Sequence, residues 1–73
     1  MRQLNPKKLL LSKWTAVKPL NKEKHFLIRS AVKPEGDGLP VEQFELEAVH
    51  SGRAQIIHWR ELQDESQWLQ GWK

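Results

Sequence analysis

His25, His50 and His58 are the side chains best suited to hold a metal or carry a proton here, and no cysteine stands with them. A zinc centre needs clustered ligands. His50 and His58 fall at different heights of one hairpin, and His25 belongs to another strand. Ser12, Ser30, Ser51 and Ser66 lie in no elbow-like motif that would set a hydroxyl against a histidine and an acid. Glu45 and Glu47 alternate with apolar neighbours, which makes them the polar side of a strand rather than an acid–base pair. The Gly36-Asp37-Gly38 stretch lacks the flanking ligands of a phosphate or calcium loop. The expectation is a non-enzymatic protein with no metal and no cofactor.

Binding is the chemistry that remains. Residues 1–33 carry nine Lys or Arg against Glu23, a balance of +8. Residues 34–73 carry three against eight acids, a balance of −5. Within the basic half, KKLLLSKWTAVKPLNKEKHF interleaves Lys13, Lys18, Lys22 and Lys24 with Trp14 and Phe26. Small sheets hold single-stranded RNA in this way, with bases stacked on aromatics and cations along the phosphates. The plainer account pairs Arg29 and Lys33 with Glu42, Glu45 and Glu47 across neighbouring strands. The other binding class is protein contact. Trp and Arg are enriched at interface hot spots, and Trp72, beside the last residue, is the tryptophan a fold is least able to cover by itself. The reading put first is a protein-binding module or homo-oligomer. Single-stranded nucleic acid held by the basic half and Trp14 is the alternative.

These residues must be positioned by a small fold. Asn5-Pro6 has the form of a helix start, with Asn as cap and Pro in the first turn. Ser12 to Val17 and His25 to Val32 read as the first two strands, separated by the turn-forming KPLNKEK. KPEGDGLP is a loop. Val41 to His50 alternates cleanly, with Phe44, Leu46 and Ala48 on one side and Gln43, Glu45 and Glu47 on the other. A two-residue turn at Ser51-Gly52 then sets Phe44 opposite Trp59, Leu46 opposite Ile57, and Glu45 opposite His58.

Asp64 and Gln67 have capping-box spacing, and Trp68, Leu69 and Trp72 fall on one helical stripe. The architecture expected is α+β, mainly β: a four-stranded antiparallel meander with a short C-terminal helix laid on its apolar face. Trp59 is the floor, Trp68 the lid, and Leu9 to Leu11 assist. A small SH3-like barrel is the alternative. The 73 residues suit a single small domain spanning 1–73. Such a domain buries only about 60–65% of its unfolded surface, and a tryptophan can bury roughly 150–250 Å2, so most of the four tryptophans belong to the core. The longest apolar run is Leu9-Leu10-Leu11, too short for a secretory or membrane-spanning segment. A cytoplasmic setting with no membrane contact is expected.

The strings NPKKLLLSKWTAV, NKEKHF, WRELQD and the closing W-x-x-GW resemble a family of small tryptophan-rich bacterial proteins, a domain of unknown function. The resemblance runs from about Asn5 to Lys73. It implies a bacterial cytoplasmic protein and supplies no catalytic or binding residue to carry over.

Overall fold

The computed structural model describes residues 3–36 and 38–73. Arg2 of the basic half and Asp37 of the Gly-Asp-Gly stretch lie outside the described residues. Among the described residues five antiparallel strands form one open sheet: β1 (Lys13–Leu20), β2 (Glu23–Val32), β3 (Gln43–Ala48), β4 (Ala54–His58) and β5 (Trp68–Gln70). Their spatial order is β4-β3-β2-β1-β5. The mainly-β expectation stands. The count of four strands, the C-terminal helix and the closed barrel do not.

The apolar residues of neighbouring strands meet on one side, here called the front. Trp14 stands opposite Phe26, Phe26 opposite Ala48, Ile28 opposite Leu46, and Phe44 opposite Ile57. All of these are buried. Arg29 is an extra residue in β2: Ile28 pairs with Leu46, but Ser30 already pairs with Glu45. This bulge reverses the alternation, so Ala31 rather than Val32 follows Phe44 on the front. On the back, Arg29 bonds Glu47 at 2.8 Å and lies 3.8 Å from Glu45, the cross-strand charge pairing expected of it.

The β3–β4 hairpin differs from expectation by two residues. Its loop is Val49 to Gly52, closed by the Ala48 N–H on the Arg53 carbonyl at 2.8 Å. Gly52 ends that loop at φ +77°, a left-handed conformation that glycine adopts without strain. Phe44 therefore meets Ile57 instead of Trp59, and Gln43 rather than Glu45 meets His58. A shift of two keeps every side chain on its original face.

β4 and β5 follow one another in sequence yet occupy opposite edges of the sheet. The chain between them must cross a face, and it crosses the front. A 3-10 helix, Trp59–Gln63, begins this crossing. Its capping box is His58 with Glu61, not Asp64 with Gln67. Imidazole Nδ1 accepts the Arg60 N–H at 3.1 Å, and Glu61 accepts the His58 N–H at 2.9 Å. The lid is Leu62, with no exposed surface. Trp59 and Trp68 are half-buried and pack at the margin of the core. Asn5 caps a 3-10 turn at Pro6–Lys8, as expected, and from that segment Leu9 is buried while Leu10 and Leu11 remain exposed.

Candidate functional site

Trp14 is not a platform for a ligand. It is 1% exposed, and its indole N–H donates to Ser12 Oγ at 2.8 Å. Phe26 is buried beside it. The aromatics of the basic stretch are core, while its lysines face outward. Lys18, Lys22 and Lys24 are exposed on the β1–β2 hairpin. Its turn residues Asn21 and Lys22 both have positive φ, 54° and 62°, as a type I′ turn requires.

Lys13 and Trp72 come together on the back. The Lys13 ammonium lies 4.8 Å from the centre of the Trp72 ring, a cation–π distance. The indole N–H donates to the Phe26 carbonyl at 3.0 Å, and the His25 ring lies 5.9 Å away. Thr15, buried in the sheet, donates from its hydroxyl to the Gly71 carbonyl at 2.7 Å and accepts the Lys73 N–H at 2.9 Å. His25 Nε2 donates to the Lys73 carbonyl at 3.0 Å. Residues 71–73 are thus a strap tied across β1 and β2. Trp72 keeps 44% of its surface exposed, but its polar atom and one ring face are already engaged by its own sheet.

At the hairpin end of the front there is an open hollow of about 360 Å3, floored by Phe26, Trp68 and Ala16 and rimmed by Lys18, Arg53 and Glu23. Trp68 stands edge-on to Phe26, ring centres 5.1 Å apart. Glu23 is 4% exposed, and its charge is fully matched. Arg53 donates from Nε and Nη2 to the two carboxylate oxygens at 3.1 and 2.5 Å, and the Ser51 hydroxyl donates as well. The bonds from Arg53 and then Ser51 outweigh burial and hold the carboxyl below the usual carboxylate range. A satisfied ion pair of this kind shapes the hollow and offers no reactive group.

The two edges of the sheet are not equivalent. β5 is only three residues long. Beyond it β1 continues uncovered, and its odd-numbered residues face that side, since Lys13 accepts from Gly71 N–H and Val17 donates to Gln67. The next outward N–H would belong to residue 19, which is Pro19 and has none. Lys18 stands beside it. Short strands, proline and lysine are the ordinary guards of an edge. β4 carries neither proline nor lysine, and only its last outward N–H, that of His58, is capped, by Glu61. The Ala48 N–H meets the Arg53 carbonyl, and the Trp59 N–H meets the Glu42 carbonyl. Residues 53, 55, 57 and 59 thus face β3, and by antiparallel alternation Ala54 and Ile56 direct their N–H and C=O groups away from the sheet. Ile56 is 52% exposed on this edge.

Among the described residues no group of three His, Asp or Glu could hold a metal ion. No helix among them is long and apolar enough to cross a membrane.

An open antiparallel sheet with tryptophans at its centre, its margin and its strap defines a small mainly-β, tryptophan-rich protein. The chain belongs to the family described as Tryptophan-rich protein (DUF2389), a family of unknown function whose model matches residues 12–73. Nothing matches among the curated proteins or among the solved structures.

Proposed function

We propose that this protein is a non-enzymatic protein-interaction module whose partner adds a strand to the β4 edge. The observation that supports this most is the asymmetry of the edges. Pro19 and Lys18 guard one, while the main-chain groups of Ala54 and Ile56 stand open on the other. Strand addition takes its affinity from main-chain bonds and its selectivity from alternate side chains. Ile56 and Ala54 on the back, and the exposed Gln55 on the front, are the side chains a partner strand would read.

The second reading, single-stranded RNA on the basic half, has lost its stacking surface with the burial of Trp14. Lys18, Lys22 and Lys24 remain exposed to track phosphates. One experiment separates the two. A displayed peptide library is selected on the purified protein, and the bound peptides, and in parallel a mixed-sequence single-stranded RNA, are mapped by amide NMR. Protection of the Ala54 and Ile56 amides by extended peptides is the expected result. Peptides that map only to the Phe26–Trp68 hollow or to the strap would overturn the edge as the docking surface. Salt-sensitive RNA shifts at the hairpin lysines, with no peptide bound, would favour the second reading.

A further inference from the structure

We infer that the strand added at β4 is β4 of a second copy of this chain, paired antiparallel about a twofold axis at Ile56. This rests on the strand-addition reading above and names its occupant.

The edge is self-complementary in one register. Ile56 N–H and C=O both point outward, so two copies can exchange those bonds reciprocally, Ile56 with Ile56. In the same register the Ala54 N–H of each copy reaches the His58 carbonyl of the other. That pair makes one bond rather than two, because the His58 N–H is already taken by Glu61 of its own chain at 2.9 Å. The side chains fit in the same order. Ile56, 52% exposed in the single copy, is set beside its equivalent, and small Ala54 lies across from the imidazole of His58. Gln55 lies across from Ile57. An isologous interface has to match itself in this way.

Charge favours this edge over the other. Ala54 to Ile57 carry no charge, so like-with-like pairing places no cation against a cation. The same operation on the uncovered part of β1 brings Lys18 beside Lys18 and meets Pro19, which cannot donate. Pairing at β4 also covers an edge that carries neither proline nor lysine, by making the two sheets continuous.

The size of the contact sets its strength. β4 has five residues, about 17 Å of strand. That is less than the roughly 1,600 Å2 of a standard interface requires, so the pair belongs with weak, reversible contacts.

Sedimentation of the full chain from about 1 μM to about 1 mM, a range that spans weak association, should show a monomer–dimer equilibrium. Ile56→Lys and Ile56→Glu should each weaken it at least about tenfold by opposing like charges. An equimolar mixture of the two should restore it, because only a register that sets position 56 against itself pairs Lys with Glu. Independently of the variants, Ala54 and Ile56 amides of the wild-type protein should gain protection as concentration rises. A wild-type chain that stays monomeric at the top of the range, or a mixture no better associated than its parts, overturns the twofold pairing. If selected peptides still protect Ala54 and Ile56 in that case, the strand-addition reading survives with a foreign occupant. If they do not, both fall.

Discussion

The hydroxyl of Thr15 donates to the carbonyl of Gly71 at 2.7 Å, tying β1 to a residue 56 positions further along the chain. The same oxygen accepts the Lys73 N–H at 2.9 Å. One buried side chain therefore holds the strap that carries Trp72. Thr15→Val keeps the shape and removes both bonds. Leaving buried polar groups unmatched costs about 1–3 kcal/mol, so urea denaturation should show a loss in that range. The Trp72 indole N–H should also exchange faster, as its bond to the Phe26 carbonyl loosens with the strap.

Leu62 is the residue that closes the front of the sheet. It has no exposed surface and sits in the segment that crosses from β4 to β5. Leu62→Ala should cost about 2–5 kcal/mol, the range for truncating a buried leucine. Leu69, 38% exposed, is the control and should cost clearly less when changed the same way. Equal losses in chemical denaturation would mean that Leu62 is not the lid.

Lys22 holds φ at 62° in the second central position of a type I′ turn, where glycine is the norm. A left-handed conformation costs a residue with a Cβ about 1–2 kcal/mol. Part of this is returned by the greater freedom of glycine in the unfolded chain. Lys22→Gly should therefore stabilise the protein by about 0.5–1 kcal/mol, read as a higher denaturation midpoint at unchanged slope.

Glu23 gives the fold an acid-sensitive element. Its carboxyl is held below its ordinary value by the bonds from Arg53 and Ser51. A depressed carboxyl contributes stability that is present above its unfolded value, near 4.3, and that disappears as pH falls through the folded one. Stability should begin to drop with acid at about pH 5 and keep falling below the ordinary carboxylate range, as pH passes through the lowered folded value. Glu23→Gln should be less stable at neutral pH and should show a flatter acid limb. An unchanged slope in the variant would remove Glu23 from the account.

The sheet was legible where alternation was long and uninterrupted. Phe44, Leu46 and Ala48 are the inner face of β3 as their spacing indicates. The Asn5-Pro6 start was legible because cap chemistry is local. The hairpin register was not. A loop of two residues and a loop of four both end on Gly52, and both leave the same side chains facing inward, so the apolar pattern cannot choose between them.

The C-terminal stretch was not legible, for a different reason. Trp68, Leu69 and Trp72 do share a helical stripe, but β1 needs partners for its outward main-chain groups from Lys13 to Val17. The 67–71 segment supplies them as a strand. That demand comes from the sheet and leaves no mark on three residues. The basic stretch misled in a similar way: lysines beside Trp14 look like a platform, yet alternation turns the lysines out and Trp14 in. The open β4 edge had a signal, a proline- and lysine-free run from Ala54 to His58, but it acquires meaning only once β4 is known to be outermost.

Hydrogen exchange at Ala54 and Ile56, read amide by amide beside Gln55 and Ile57, tests the open edge most directly. In dilute monomer, verified by sedimentation, Gln55 and Ile57 should be protected by β3 while Ala54 and Ile56 exchange freely. When a strand is added, by a second copy at high concentration or by a selected peptide, Ala54 and Ile56 should slow and their neighbours change little. Slow exchange at Ala54 and Ile56 in the verified monomer would mean that the edge is already covered, and would contradict the account.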